Sequence, residues 1–193
     1  SAGGLNAMHL VINQINSSEL VDFWSKDNLA MSMQGSFWTK NFFLTTKPKY
    51  SNNSKTELLE KYFGDRLISE SKKPIAVLAY DVEARKPRII ASYKDQNIKV
   101  ISAINATSAA PLYYPTVQIE DGSWLIDGGV VANNPCLVGY NEARKYFKTE
   151  KIKVFSIGTG IHSKNLDGED SSKWGPIGLS LIHISEPTRL GFI

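Results

Sequence analysis

Cysteine is almost absent from this 193-residue chain, and long runs of apolar residues are absent altogether. The single cysteine, Cys136, excludes an internal disulfide and a metal site built from several cysteines, which suits a reducing compartment. No segment approaches the roughly 20 consecutive apolar residues that a membrane-spanning helix needs. The N-terminus also lacks the order of a secretory signal, a charged stretch followed by an apolar one, but this means little in a chain that opens on Ser1 without Met. A cytoplasmic or peripheral membrane location is therefore favoured over that of a disulfide-rich secreted protein.

Strong charge of one sign is also lacking. The net charge is +3, and the lysines are scattered instead of forming a basic face with interleaved aromatic residues. A nucleic-acid partner is therefore not predicted. The hydrophobic share of 42% is enough for one sizeable core, so the chain is predicted to form a single globular domain.

Apolar spacing predicts helices in the first third of the chain. Leu5, Met8 and Ile12 place a stripe on a helix over residues 2–16, which starts directly after Ser1, and a second helix is expected over residues 18–26. Residues 31–53 show no periodicity and are predicted to form a loop.

The rest of the chain alternates between helical and strand patterns. Ser54 and Glu57 form a capping-box pattern for a helix over 54–63, with Gly64 as its stop. A hairpin near a sheet edge is predicted over 75–82 and 87–92. The further elements expected are a helix over 97–108, a strand over 124–126, a helix capped by Asn134 and Pro135, and a strand over 152–157. This alternation favours an α/β sandwich.

Three stretches carry chemistry: SAGGLNAM at the N-terminus, ATSAAPLYYP over 106–115 and LIDGGVVANNP over 125–135. Together they resemble the patatin-like phospholipase family. Ser1, Ala2 and Gly3 match the last three positions of that family's nucleophile elbow, G-x-S-x-G. Asp127, Gly128 and Gly129 match its Asp-Gly-Gly signature. Weaker similarity extends to about residue 160.

The resemblance implies a three-layer α/β/α fold with a mainly parallel central sheet, and hydrolysis of phospholipids or other acyl lipids. It also implies Ser1 as nucleophile and Asp127 as base, with no cofactor and no metal. The family pattern includes an upstream strand and a glycine-rich oxyanion loop ahead of the serine, and neither is in this sequence. We therefore expect the chain to be N-terminally truncated and inactive as written.

The chemistry of these residue types supports the same assignment. A serine at a sharp strand-to-helix turn is held clear of its neighbours, and the N–H of Ala2 can donate to a developing oxyanion. Asp127 at the end of a strand can lie on the same rim of the sheet as Ser1. Glycines at 3, 4, 128 and 129 permit tight turns. Taken singly, Asp127 could be an ordinary turn residue and Ser1 an ordinary terminal residue.

Other functions stay open at this stage. Ser1 could act as an N-terminal nucleophile with its own α-amine as base, as in self-processing amidohydrolases. A lipid-binding or storage protein of the same fold is a non-enzymatic alternative. His162 could complete a catalytic triad, although the resemblance favours a two-residue centre. His9 lies on the first predicted helix and is expected to have a packing role.

Two further segments have their own interpretations. The aromatic residues Phe37, Trp38, Phe42 and Phe43 lie near lysines, which suggests an interfacial membrane anchor, the alternative being a loop that covers the core edge. Residues 179–189, LSLIHISEPTR, resemble the translation of an adapter used in preparing DNA sequencing libraries. We therefore expect a patatin-like domain over 1–178 and a non-native tail over 179–193, in which His183 has no function; an ordinary C-terminal strand is the alternative.

Overall fold

A computed structural model describes residues 2–33, 48–149 and 151–158. The chain divides into two compact units, Ser1–Val131 and Ala132–Ile193. Within the described ranges, no helix has both the length and the apolar character needed to span a bilayer.

The first unit contains five helices and four strands among its described residues. The helices are α1 (Ala2–Ile12), α2 (Ser17–Phe23), α3 (Lys26–Ser32), α4 (Asn52–Phe63) and α5 (Val100–Thr107). The strands are β1 (Ala76–Asp81), β2 (Lys86–Ala91), β3 (Val117–Gln118) and β4 (Trp124–Asp127). Short 3₁₀ turns lie at Ile68–Glu70 and Gly128–Val130.

Helix boundaries follow the polar side chains that cap them. The expected continuation of α1 to residue 16 is wrong, because Asn16 instead caps α2: its Oδ1 accepts the backbone N–H groups of Ser18 and Glu19. The expected start of α4 at Ser54 is also wrong. Ser51 Oγ accepts the N–H of Asn53, so the helix begins one turn earlier. The predicted stop at Gly64 is confirmed, with φ at +57°.

The sheet has the order β2-β1-β4-β3, and every pairing described is antiparallel. The predicted hairpin is confirmed as β1 and β2, with β2 at the edge. The combination of helices and a sheet confirms the α/β class, but the expected parallel pairing is not found among these strands. The four residues between β1 and β2 are too few for the crossover that a parallel pair requires.

The strand expected over residues 152–157 is not found in the structure. Residues 151–158 have neither helical nor strand structure, and Phe155 and Ile157 are 88% and 96% exposed. An apolar alternating segment becomes a strand only when a neighbouring strand supplies its hydrogen bonds, and none of the described strands pairs with it.

The core lies where α1 and α5 pack against β1. Val77 and Ala79 of β1 point into it, together with Leu125 of β4. Because side chains alternate along a strand, Asp127 is on the same sheet face as Leu125, and it pairs in register with Ala79. The sheet therefore presents Asp127 toward the helices of this core.

The second unit contains α6 (Cys136–Phe147). Asn134 Oδ1 accepts the N–H of Cys136 at 3.0 Å, but Pro135, expected as the first helical residue, directly precedes the helix. The helix ends where Lys148 adopts a left-handed conformation, with φ at +50°.

Candidate active site

Asp127 ends β4 and is held at both its backbone and its side chain. Its N–H donates to the carbonyl of Ala109 at 3.0 Å, and its Oδ1 accepts the N–H of Gly129 at 2.7 Å. The carboxylate thus caps the 3₁₀ turn that follows it. The turn interpretation of this residue and a chemical role are compatible, because the cap fixes the direction of the carboxylate.

The two glycines that follow Asp127 have different structural roles. A β-carbon on Gly128 would lie 2.2 Å from the carbonyl oxygen of Leu78 in β1, so no larger residue fits. Gly129 supplies the N–H that orients Asp127. The Asp-Gly-Gly motif therefore fixes the end of β4 against the backbone of β1.

The first turn of α1 packs against the C-terminal end of α5. Ser1 is outside the described residues, while Ala2 begins the helix and Gly3 and Gly4 continue it. A β-carbon on Gly4 would lie 2.8 Å from Thr107 Cγ2 and 3.3 Å from Val77 Cγ1. This small residue permits the close approach of the helix to the sheet and to α5.

The segment 107–109 joins these two parts of the site. Thr107 packs against Gly4 and donates its hydroxyl to the carbonyl of Leu78 at 2.7 Å. Two residues later, Ala109 accepts the N–H of Asp127. The start of α1 and the end of β4, far apart in sequence, therefore contact one short stretch of chain.

The sequence analysis missed Lys55, which lies close to this stretch. The side chain is 5% exposed, and its Nζ donates to Ser108 Oγ at 3.3 Å. Burial lowers the pKa of Lys55 to about 8, while the Asp127 carboxylate acts to raise it. A signal was present: Lys55 precedes Leu58 and Leu59 by three and four residues, so it shares their buried helix face.

His9 has the structural role that was expected. It is buried, and its ring lies 4.8 to 5.3 Å from the ring centres of Phe23, Tyr62 and Phe63. Burial lowers its pKa, and the nearby Arg66 lowers it further.

Several other residues singled out in the sequence lie outside the described ranges. These are the triad candidate His162, His183 of the expected tail, and the aromatic residues Phe37, Trp38, Phe42 and Phe43. In the part of the chain that the structure describes, no three His, Cys, Asp or Glu side chains converge as metal ligands would.

Comparisons with known proteins agree with the motifs. The family model of the patatin-like phospholipases matches residues 1–140. Patatin-like protein 2 of Oryza sativa subsp. indica is 27% identical over 91% of this chain and 53% of its own length. Patatin-like protein 3 of Arabidopsis thaliana is 28% identical over 66% of this chain and 36% of its own length. A cGAMP-activated phospholipase of Vibrio cholerae serotype O1 is 24% identical, with shares of 82% and 50%.

The chain thus spans about half the length, or less, of these relatives. The matched range includes the SAGG turn and the Asp-Gly-Gly motif, as well as the segment 107–109 that connects them. The chain therefore belongs to the patatin-like phospholipase family.

Proposed function

We propose that this chain carries the reaction centre of a lipid acyl hydrolase, with Ser1 as nucleophile and Asp127 as general base. One observation carries the proposal: the first turn of α1 and the backbone of Asp127 both contact the segment 107–109. Ser1 directly precedes that turn in the sequence, 126 positions before Asp127 (127 minus 1), and this supports the proposed pairing of the two residues.

The chemistry would proceed through an acyl-serine. The Ser1 hydroxyl attacks the ester carbonyl while its proton passes to Asp127, and the alcohol leaves with that proton. Asp127 then takes a proton from water, whose oxygen attacks the acyl group. The bond between the acyl carbon and Ser1 Oγ breaks, the acid is freed, and Asp127 returns the proton to Ser1. The N–H of Ala2 is proposed to donate to the oxyanion at each stage, which the start of α1 at Ala2 supports.

The substrate class follows from membership of the family and from the name of the Vibrio cholerae relative, a phospholipase. Phospholipids or other acyl lipids are therefore the substrates proposed here.

Such substrates lie at a water–lipid boundary, so peripheral membrane contact through residues 37–43 is part of the proposal. Replacing Phe42 and Phe43 with aspartate is expected to weaken binding to anionic vesicles, and unchanged binding would refute the anchor.

The decisive experiment is an assay with fluorogenic acyl esters. It uses a version in which the strand and the glycine-rich loop expected from the resemblance precede Ser1, and the 193-residue chain is assayed beside it. Ser1→Ala and Asp127→Asn are each expected to lower kcat by about 10² to 10⁴-fold. Asn at 127 keeps an oxygen that can accept the N–H of Gly129, so its thermal stability should match that of the parent.

Asp22→Asn is the matched control, because it removes an exposed carboxylate from α2. Its activity should equal that of the parent. If Asp127→Asn remained fully active, the proposed base would be wrong. Lipid binding without hydrolysis would favour a non-enzymatic protein, and activity found only with Ser1 as a free N-terminus, and lost on acetylation, would favour an N-terminal nucleophile.

A further inference from the structure

Lys55 is a cation inside the fold, on the buried face of α4. Lysine is seldom buried without an opposite charge, since removing an ammonium group from water carries a large free-energy penalty. Its Nζ donates to Ser108 Oγ at 3.3 Å and lies 4.1 Å from the centre of the Tyr114 ring. One long hydrogen bond and one aromatic face offset only part of that penalty.

Ser108 fixes the direction in which the ammonium group points. The hydroxyl of Ser108 donates its proton to the carbonyl of Ile104 at 2.6 Å, so its lone pairs accept from Lys55. The next residue, Ala109, accepts the N–H of Asp127. The lysine is therefore anchored one residue away from the backbone that holds the proposed base.

The charged groups around Lys55 identify its partner. On α4 itself, Glu57, Glu60 and Lys61 are exposed. The neighbouring α5 has no charged residue. On α3, Lys26 and Asp27 lie in the first turn.

That first turn of α3 is at the far end from Lys55. Asn28 donates to the hydroxyl of Tyr62 near the C-terminus of α4, whereas the carbonyl of Ser32 accepts from Tyr114 beside Lys55. Among the described residues, Tyr114 also contacts Lys55, and its pKa is raised by burial and also by Tyr50, so its phenol is neutral near pH 8. On β4, Asp127 is the only charged residue, and its carboxylate counteracts the lowering of the Lys55 pKa by burial.

We propose that Lys55 is a positioning residue for the proposed Ser1–Asp127 pair, and that its ammonium group, anchored on Ser108, is the fixed cation with which the Asp127 carboxylate pairs. This inference rests on the function proposed above. A lipid that covers the site expels water, which strengthens the attraction between opposite charges. A cation anchored at Ser108 therefore helps to hold the carboxylate in place while the substrate is bound.

The direct test is a pH titration of the lysine side chains in the 193-residue chain by NMR of ¹³Cε. The Lys55 signal is assigned from its loss in Lys55→Arg, and its midpoint is expected near pH 8. Asp127→Asn should lower that midpoint by at least about 0.5 unit, since it removes the charge that favours the ammonium form. Coupling between two sites is reciprocal, so this fall also measures how far Lys55 stabilises the carboxylate. A midpoint that does not move would overturn the proposal.

Ester hydrolysis supplies a second readout, measured in the version in which the strand and the glycine-rich loop precede Ser1. Lys55→Met should lower kcat at pH 7 by about tenfold or more, with a smaller effect on KM. Activity in the parent should decline above about pH 8 as Lys55 loses its proton, and Lys55→Arg, which stays charged, should remain active there. Lys61→Met, on the exposed face of the same helix, is the control.

Rescue by the conservative variant separates this role from a structural one. Lys55→Met leaves the Asp127 carboxylate without its cation and should lower both activity and Tm, whereas Lys55→Arg keeps the charge and should retain most of the activity at pH 7. Coupled titration without any ester hydrolysis would support the ion pair and reject the proposed function. Hydrolysis that is unaffected in Lys55→Met would reject the positioning role and leave the proposed function standing.

Discussion

At the scale of single residues, the end of β4 requires a residue without a β-carbon at position 128. Gly128 lies so close to β1 that a β-carbon would meet the carbonyl oxygen and carbon of Leu78 at 2.2 and 2.5 Å. Gly128→Ala therefore requires the backbone of β1 or β4 to move. We expect it to lower the free energy of unfolding by about 1 to 3 kcal/mol or more, measured by urea denaturation.

Gly139 provides the matched comparison, because it is a helical glycine of α6 at which an added β-carbon would meet no atom within 4 Å. Gly139→Ala should raise helix stability by roughly 0.5 to 1 kcal/mol. If both substitutions had the same effect, the close contact with Leu78 would not be the reason for glycine at 128.

His9 gives the fold a dependence on pH. Its pKa in the folded protein is lowered below 6.5 by burial and then by Arg66, so the unfolded chain binds a proton first as the pH falls. Stability should therefore be complete above pH 6.5 and decline as the pH drops through 6.5 toward the folded-state pKa. Urea unfolding between about pH 5 and pH 7.5 measures this decline.

A substitution that removes the titration tests the assignment to His9. His9→Phe keeps an aromatic ring among Phe23, Tyr62 and Phe63 but cannot bind a proton. The loss of stability between pH 6.5 and 5 should become smaller in this variant. An equal loss in both proteins would assign the acid sensitivity to the carboxylates instead.

At the scale of elements, Arg66 joins the ends of two helices. Its guanidinium donates to the carbonyls of Tyr62 and Phe63 at the end of α4, and to the carbonyl of Ile12 and the side chain of Asn13 at the end of α1. Arg66→Lys keeps the charge but loses the planar set of donors. We expect a loss of about 1 to 3 kcal/mol in thermal or urea unfolding.

Arg85→Lys is the control for this loss, since Arg85 occupies an exposed turn between β1 and β2. It should change stability by less than about 0.5 kcal/mol. A small effect at both arginines would mean that the helix ends are held by apolar packing alone.

Local signals in the sequence predicted most of these elements but not how they pair. The hairpin, the stop at Gly64 and the strand before Asp127 were correct, because each depends on residues that are adjacent or nearly so. The start of α4 was displaced by one turn because Ser51 and Ser54 are both plausible caps. Pairing depends on distant residues, which explains why parallel strands were expected where the described pairs are antiparallel.

The candidate site, like the fold, was only partly predictable from the sequence. The turn formed by Asp127 and its glycines at the end of β4 was predicted from the sequence, while the roles of Ser1 as nucleophile and Asp127 as base remain predictions from the resemblance. Lys55 was missed, because one lysine on an apolar helix face is recognised only when the residues opposite it are known. The segment 107–109 was noted as part of a motif, but its contact with the first turn of α1 arises only in the folded chain.

At the scale of the whole molecule, the buried core that the structure describes lies in the first unit. Its buried apolar residues run from Leu5 to Leu125 and include β1, α5 and the inner face of α1. Amides in such a core exchange only when much of the unit opens. Residues 151–158, by contrast, form no helix or strand, and most of them are exposed.

Hydrogen exchange should therefore separate the two regions clearly. Amides of Val77 to Ala79 and of α5 are expected to exchange most slowly among the described residues, and those of residues 152–157 within the shortest labelling time. Of the trypsin sites within the described residues, those after Lys151 and Lys153 should likewise be cut first, and Lys153→Gln should remove one of them without altering the core. Slow exchange across residues 152–157 would instead show that this segment is paired as a strand, as its alternation of apolar residues first suggested, and the exposed arrangement described for it would be wrong.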